Sequence, residues 1–228
     1  MNIQKYCNTV ISRLVFLFCP LALVCCDDHE LVDTDVHVGY VLTADHHVVS
    51  PEAFASGSSV AVGVVFALAT ADHPMLAVLL DEVPPTAFAD RLGITLGTSG
   101  KKDAFDGYAN SVAMRNTVTV IDSISYGSPL GRLAFDAHYF GQSDFIPSYA
   151  ESRLLYSSLS VVNPVIRRLG GTPVSVTADD GACWYWTSTE DSLDVGNRAW
   201  LCSMGSGGFQ QTPKDECHPC RLVVAMSY

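Results

Sequence analysis

The sequence predicts an α+β domain, because β-prone segments at both ends enclose a helical middle. Residues 60–69 (VAVGVVFALA) and 75–80 (MLAVLL) are short apolar runs bounded by turn residues, which is typical of buried strands. Ser148 stands three residues before Glu151, and this capping-box spacing marks the start of a helix. After Val174 the sequence returns to short β-prone runs separated by turns rich in glycine and serine.

The N-terminal part of this domain is predicted to consist of strands joined by tight turns. Residues 36–42 and 47–49 are β-prone and flank a turn at 43–46, which predicts a hairpin. Gly63 lies inside the apolar run 60–69, so we expect a close backbone approach or a bulge at that position.

The middle of the chain carries two weaker helix signals. Asp106 is placed to cap a helix that runs through about Asn116. Residues 130–139 are a second, less regular helical segment. Both lie between the strand region and the capping box.

The strongest helix signal begins at Ser148 and continues in an apolar stripe formed by Leu154, Leu155, Leu159 and Val162. Asn163-Pro164 predicts the start of a separate helix, because asparagine caps helices and proline is tolerated at the first helical position. Gly170-Gly171 is expected to end that helix.

Composition narrows the class of protein. The chain has 228 residues, of which 48% are hydrophobic and 16% charged, so it can bury a core. Its 13 Lys+Arg against 24 Asp+Glu give a formal net charge of −11. Nucleic acid is therefore excluded as an expected partner, since the largest basic clusters are the pairs Lys101-Lys102 and Arg167-Arg168.

The N-terminus has the pattern of a secretory signal. Lys5 and Arg13 precede the apolar run LVFLFCPLALV at residues 14–24. This run is too short for a bilayer core of about 30 Å, which takes about 20 residues. No later segment is apolar enough to cross a membrane, so the rest of the chain is expected to be soluble.

The end of this run resembles a bacterial lipoprotein box. Leu23-Val24-Cys25-Cys26 implies a signal peptide at residues 1–25 and lipid attachment at Cys26, with Cys25 as the alternative acceptor. Residues 26–35 form an acidic tether that resembles a surface-export signal, which implies a lipid-anchored protein of the outer membrane or cell surface. The alternative is a plain secreted protein.

Four cysteines cluster near the C-terminus: Cys183, Cys202, Cys217 and Cys220. Because an exported chain meets an oxidising compartment, we expect two structural disulfides, and three pairings are open. Two alternatives remain, a zinc site built from all four thiolates and a redox pair at the C-x-x-C motif of Cys217 and Cys220.

Four segments occur in order along the chain: residues 60–66, Phe145–Ser148 with Glu151, YWTSTE at residues 185–190, and Ala199-Trp200. Together they resemble the Lcl C-terminal domain family of bacterial surface proteins, whose members read "LPS…EL" and "YWSSTE…AW…G…K…RPV". The chain departs from the family pattern at Ser152, at Thr187, at residues 220–223 and in its clustered cysteines. The resemblance implies a C-type-lectin-like domain at residues 36–228, with two helices, a small twisted antiparallel sheet and long loops.

Three tryptophans are the candidate ligand-binding residues. Aromatic faces stack on sugar rings, which suggests carbohydrate binding by Trp184, Trp186 and Trp200. Strand alternation places Trp184 and Trp186 on one face and Tyr185 on the other, and the favoured alternative is that this face, with Trp200, belongs to the core. Calcium could bind at Asp33-Thr34-Asp35 or Asp179-Asp180, although an acidic tether or turn is the commoner role for such residues.

These observations favour a non-enzymatic protein that recognises a glycan or a surface protein, with no cofactor and no metal. No H-E-x-x-H, G-x-S-x-G or phosphate-loop motif occurs. Two alternatives are kept. One is a structural or accessory subunit of a surface assembly. The other is a thiol-dependent oxidase related to formylglycine-generating enzymes, which would use Cys217 and Cys220.

Overall fold

The computed structural model describes residues 35–55, 57–135, 138–139, 142–178 and 181–226. The predicted signal peptide, the lipid-attachment residue Cys26, nearly all of the tether and the pair Asp179-Asp180 lie outside these residues. The fold described below belongs to the unit Val36–Tyr228.

The α+β prediction is confirmed: within the described residues, four helices accompany several small antiparallel sheets. The helices are α1 (Pro51–Ala55), α2 (Gly107–Asn116), α3 (Pro129–Leu133) and α4 (Tyr149–Arg168). The strands are β1 (Val41–Thr43), β2 (Val48–Val49), β3 (Ala61–Ala67), β4 (Met75–Leu79), β5 (Val83–Ala87), β6 (Thr119–Ile121), β7 (Ile124–Tyr126), β8 (His138–Tyr139), β9 (Gln142–Ser143), β10 (Trp184–Glu190), β11 (Arg198–Ser203), β12 (Phe209–Pro213), β13 (Cys217–Cys220) and β14 (Val223–Met226).

The largest sheet joins the two ends of the domain. Its strand order is β14-β4-β3-β1-β2, so the last strand pairs beside β4 from the N-terminal region. A second sheet has the order β10-β11-β12, and β5 pairs with β13. The hairpins β6-β7 and β8-β9 complete the described pairings.

Alternation along β3 separates two parts of the core. Val64 and Phe66 are buried in the cluster that contains Leu155 and Leu159 of α4. Val65 points to the opposite face and belongs to a separate buried cluster. Burying an aliphatic or aromatic side chain of this size stabilises the fold by about 1.5–3 kcal/mol, so β3 and α4 anchor the domain.

The N-terminal strand predictions are confirmed. β1 and β2 form the expected hairpin, although β1 begins only at Val41 rather than at residue 36, and the apolar runs become β3 and β4. A Cβ atom at Gly63 would lie 2.7 Å from the carbonyl oxygen of Val78, so the close backbone approach expected there is also present.

The two weaker helices differ in outcome. α2 follows Asp106 and ends at Asn116 as predicted, although the Asp106 side chain makes no capping hydrogen bond. The prediction of a helix over 130–139 is wrong for its second half, because α3 ends at Leu133 and residues 138–139 form a strand. Phe135 has a φ of 74°, which no right-handed helix can accommodate.

The capping box of α4 is confirmed in both directions. The Glu151 N–H donates to Ser148 Oγ at 3.3 Å, and the Ser148 N–H donates to Glu151 Oε2 at 2.7 Å. At the other end Gly170 has a φ of 79°, and the helix stops where the glycine pair predicts.

The prediction of a separate helix at Asn163-Pro164 is wrong, because α4 runs through both residues. Asn163 uses its side chain for a long-range contact instead of a cap. Its Nδ2 donates to the carbonyl oxygen of Val174, and the Val174 N–H donates to its Oδ1, both at 2.9 Å. This two-bond clamp holds the segment after the helix against α4. None of the helices in the described residues combines the length and the apolar content that a bilayer span requires.

Candidate ligand-binding surface

All three candidate tryptophans are buried or half-buried. Trp186 is 1% exposed, and its Nε1 donates to the carbonyl oxygen of Thr86 at 2.9 Å. Trp184 is half-buried against the same apolar cluster. Tyr185 is buried in the cluster on the other side of the sheet, so the predicted alternation is confirmed. Trp186 therefore presents no open face to a ligand.

Trp200 lies on the opposite face of the sheet, which corrects its expected place beside Trp186. Trp186 pairs with Leu201 across β10 and β11, so Leu201 shares its face and Trp200 points the other way. This side of the sheet also carries Phe209, which pairs with Cys202.

Trp200, Tyr149 and Phe209 form a cluster that we term the aromatic cluster. Tyr149 stacks on Phe209 with ring centroids 3.6 Å apart and planes 15° apart. The Tyr149 and Trp200 rings meet edge to face at 5.6 Å and 82°. Tyr149 is fixed by its place at the start of α4, where its N–H donates to Thr189 Oγ1 at 3.0 Å. The cluster therefore rests on a helix end and two strands, which are rigid supports.

Two cations lie over the aromatic cluster. Lys102 Nζ is 4.0 Å from the centroid of the Trp200 ring, and Arg153 Cζ is 5.6 Å from that of Tyr149. Arg153 also donates from Nη2 to the carbonyl oxygen of Lys102 at 3.3 Å. Each exposed cation–π contact contributes about 0.5–1 kcal/mol. This surface is locally basic on a chain whose formal net charge is −11.

Trp200 also has a buried hydrogen-bond donor that lacks an acceptor. Its Nε1 has no hydrogen-bond partner among the described residues, and the residue is 7% exposed. A buried unsatisfied donor costs about 1–3 kcal/mol.

Hydrogen bonds hold the segment that carries Lys102 on both sides of that residue. Ser148 Oγ donates to the carbonyl oxygen of Ala104 at 2.8 Å. The Ser99 N–H donates to Asn110 Oδ1 at 2.8 Å, and Asn110 Nδ2 donates to Asp106 Oδ1 at 2.9 Å. The start of α4 therefore positions both Tyr149 and the loop opposite it.

The glutamate that ends YWTSTE has a structural role. Glu190 is 1% exposed, and its carboxylate accepts from Leu96 N at 2.9 Å, from Thr98 N and Oγ1 at 3.0 Å each, and from the buried ammonium of Lys214. Lys214 Nζ also donates to the carbonyl oxygens of Ile94 and Val195. Burial lowers the pKa of Lys214, while the contact with Glu190 opposes that change. The pair therefore holds three loops, those of residues 94–98, Val195 and Lys214, against the end of β10.

Arg221 has a similar role on the other side of the domain. It is fully buried, and its Nη1 donates to the carbonyl oxygen of Leu80 at 3.0 Å, with Thr172 accepting from Nη2. Its Nε lies 3.7 Å from Glu82 Oε2. The Tyr185 hydroxyl donates to that same oxygen at 2.6 Å. The arginine thus joins the end of β4 to the segment after α4.

The four clustered cysteines are free thiols in the structure, so the expected disulfides are not observed. Cys217 and Cys220 share one strand, whose rise places their Cα atoms about 10 Å apart. A disulfide requires less than about 7 Å, so a bridge between this pair is excluded in the folded state. The four-cysteine zinc alternative is also wrong, because the described residues contain no group of three or more His, Cys, Asp or Glu that could hold a metal ion.

Burial predicts how these thiols react. It raises the pKa of Cys202 to about 12 and that of Cys220 still further, whereas Cys217 is exposed. In the folded protein we expect an alkylating reagent to modify Cys217 quickly and to leave Cys183, Cys202 and Cys220 unmodified until the chain unfolds. Mass spectrometry of the digested protein reads each cysteine separately. Recovery of a disulfide-linked peptide from the native protein would contradict this arrangement.

The fold and the surface together define an α+β domain with a buried polar framework and an aromatic cluster at one edge. No family model matches the chain, and a search of curated proteins found no similar one. The family resemblance of its motifs therefore stays a prediction.

Sequence reasoning missed four residues of this surface: Lys102, Tyr149, Arg153 and Phe209. Tyr149 carried a usable signal, because it directly follows the capping serine. Arg153 follows Tyr149 by four residues and so shares its face of α4, which was also a usable signal. Lys102 and Phe209 reach the surface only through long-range packing.

Proposed function

We propose that the chain is a non-enzymatic, lipid-anchored protein of the outer membrane or cell surface. Its C-type-lectin-like domain, residues 36–228, would recognise a glycan or protein ligand as a member of the Lcl C-terminal domain family. The lipoprotein box ending at Cys26 supports the anchor. The motifs at Phe145–Ser148, at residues 185–190 and at Ala199-Trp200 support the family and its fold.

The observation that carries the proposal is the aromatic cluster under two cations. Aromatic rings bury the C–H faces of sugars, while Lys102 and Arg153 supply donors for oxygen atoms beside them. A saccharide combines an apolar ring face with many acceptors, so it matches this surface better than a purely apolar ligand does.

A glycan array with the folded protein tests the proposal. We expect reproducible binding that soluble glycan competes away. Lys102→Ala should weaken it severalfold, because the ammonium over Trp200 is lost, while Lys101→Ala should leave it unchanged. The array is also repeated with a calcium chelator. A loss of glycan binding in its presence would indicate a calcium site at Asp33-Thr34-Asp35 or Asp179-Asp180. A blank array from folded protein, or equal losses for both lysine variants, would contradict glycan binding at this surface.

A structural or accessory role has one specific observation in its favour. The β6–β7 hairpin region exposes Val118, Val120 and Ile124 by 61%, 64% and 53%. Val118 and Val120 lie on one face of the hairpin, because they are two residues apart, and Ile124 pairs with Ile121 on the other face. Adjacent exposed apolar side chains such as Val118 and Val120 are typical of protein interfaces. Cross-linking on cells that captures one fixed partner, and loses it on Val120→Glu, would support this second role.

The thiol-oxidase alternative receives no support from the cysteine geometry. Its two candidate thiols sit at opposite ends of β13, and Cys220 is fully buried beside the backbone of Trp186. Disulfide exchange requires two thiols that can reach each other and an accessible thiolate.

A further inference from the structure

The loop between β10 and β11 holds a leucine whose side chain lies almost wholly in water. Leu193 is 89% exposed, the largest exposed fraction of any large apolar side chain in the part of the chain that the structure describes. Val195, two residues further along the same loop, is also exposed. Neighbouring exposed apolar side chains are typical of protein interfaces.

Hydrogen bonds fix the backbone of this loop. The Asp191 N–H donates to the carbonyl oxygen of Arg198 at 3.0 Å, and the Leu193 N–H donates to Asp191 Oδ1 at 3.2 Å. Asn197 Nδ2 donates to Asp194 Oδ1 at 2.7 Å. Because the loop is already ordered, little conformational entropy is lost when Leu193 binds to another surface.

An aliphatic cleft of about 360 Å³ lies between the end of β4 and the end of α4. The apolar part of its lining includes Ala61, Val62, Leu79, Leu80, Leu169 and Leu222. An apolar cavity of about 150 Å³ holds a benzene molecule, so this cleft has room for the four-carbon side chain of a leucine.

Arginine side chains give the surroundings of this cleft a positive charge. Arg167 and Arg168 are exposed on the last turn of α4, which ends at the cleft. Glu82 of the lining is paired with the buried Arg221, whose Nε lies 3.7 Å from Glu82 Oε2. Asp81, the other carboxylate of the lining, is exposed. The cleft therefore suits an apolar group that has a carboxylate beside it.

The loop that carries Leu193 has the complementary charge. Asp191 and Asp194 stand on either side of Leu193 in the sequence. Arg198 Nε lies 3.7 Å from Asp194 Oδ2 and is 46% exposed, so it is the cation nearest to this end of the loop in the sequence. The loop thus offers an exposed leucine between two carboxylates.

The loop and the cleft lie at opposite ends of the domain. Tyr185, near the start of β10, donates from its hydroxyl to Glu82 of the cleft, whereas Leu193 follows the other end of this strand, which is about 20 Å long. The helix α4 spans the same two ends over about 30 Å, since its first residue contacts Thr189 and its last turn reaches the cleft. Leu193 therefore cannot enter the cleft of its own chain.

We propose that Leu193 of one copy inserts into this cleft of a second copy, with Asp194 facing Arg167 and Arg168. The two surfaces differ, so the contact is heterologous and each added copy leaves one loop and one cleft open for further growth. One inserted loop makes a small interface, so the contact is weak and depends on protein concentration. This self-association goes beyond the proposed function and uses none of the residues of the aromatic cluster.

The test is an NMR titration of two full-length variants that each keep one half of the contact. The isotope-labelled protein is Leu193→Gln, which keeps the cleft, and the unlabelled protein is Ala61→Leu, which keeps the loop and fills its own cleft. We expect the signals of Gly170, Gly171 and residues 79–83 to shift, with a Kd of about 1 mM or tighter. A second titration uses the unaltered protein in place of Ala61→Leu, with the same expectation, because Ala61 belongs to a strand.

No shift of these signals at about 1 mM unlabelled protein would overturn the proposal. So would an equal shift when the unlabelled chain carries Leu193→Gln as well as Ala61→Leu. A blank glycan array and a blank titration fail separately, because the two experiments probe different residues.

Two pairs of matched variants identify the contact. Leu68→Gln on the unlabelled chain removes a different exposed leucine and should preserve the shifts that Leu193→Gln abolishes. On the labelled chain Arg168→Gln should weaken binding by about two- to fivefold, the factor for an exposed ion pair, and Lys101→Gln should not. Equal effects within either pair would overturn the proposal.

Discussion

Replacing Lys214 with methionine is expected to lower the free energy of unfolding by about 3–5 kcal/mol, the cost of leaving one charge of a buried pair unpartnered. The lysine side chain is 0% exposed and Glu190 is 2% exposed, so water cannot replace the lost ammonium. The carbonyl oxygens of Ile94 and Val195 would lose their donor as well. Urea unfolding followed by tryptophan fluorescence measures the change.

Two further variants separate the charge effect from the loss of packing. Glu190→Gln combined with Lys214→Met removes both charges, and we expect it to be more stable than Lys214→Met alone. Lys101→Met at an exposed site should change stability by no more than about 0.5 kcal/mol. If Lys214→Met unfolds at the same urea concentration as the unaltered protein, the structural role of the pair is wrong.

The stability of the protein is expected to fall as the pH rises from about 4.5 to about 7, through Glu151. Burial raises the pKa of this carboxyl group from 4.5 to about 7 in the folded state, with the nearby Asp106 adding to the effect. The folded chain therefore keeps a proton that the unfolded chain releases. This contribution is fully present below pH 4.5 and is lost by about pH 7, and it amounts to about 3 kcal/mol.

Comparison with Glu151→Gln isolates this one group from the other carboxylates. Glutamine keeps an oxygen that can accept from the Ser148 N–H but does not titrate. The difference in unfolding free energy between the two proteins should shift by about 3 kcal/mol in favour of the glutamine variant between pH 4.5 and 7. A difference that stays constant with pH, or shifts the other way, would contradict a raised pKa at Glu151.

The parts of the fold that the sequence predicted depend on local chemistry. The capping box at Ser148, the end of α4 at Gly170 and the close approach at Gly63 each follow from a few neighbouring residues. The strand runs were predictable because they are short, rich in β-branched residues and bounded by turns, which separates them from buried helix segments.

The sequence-based predictions failed where contacts with residues far along the chain determine the local structure. Asn163 has the sequence of a helix cap, but Val174 offers it a better pair of hydrogen bonds, so α4 continues. The face of Trp200 depends on the register between β10 and β11, which spacing along one strand does not reveal. Lys102 reaches Trp200 only because its loop is fastened to the start of α4.

The YWTSTE segment shows why a motif is a poor guide to a ligand site. Its tryptophan and its glutamate are both buried, one in the core and one with Lys214. The surface that we assign to ligand recognition lies on the other side of the same sheet. Residues outside the motif, Tyr149 and Phe209, form most of it.

The most direct test of the account compares the affinity of Phe209→Ala and Gln210→Ala for the strongest ligand found on the glycan array. The two positions are neighbours on β12, but only Phe209 stacks in the aromatic cluster. We predict that Phe209→Ala weakens binding by about tenfold, or about 1.4 kcal/mol, while Gln210→Ala binds like the unaltered protein. Unchanged affinity in Phe209→Ala, with the protein folded, would contradict recognition through the aromatic cluster.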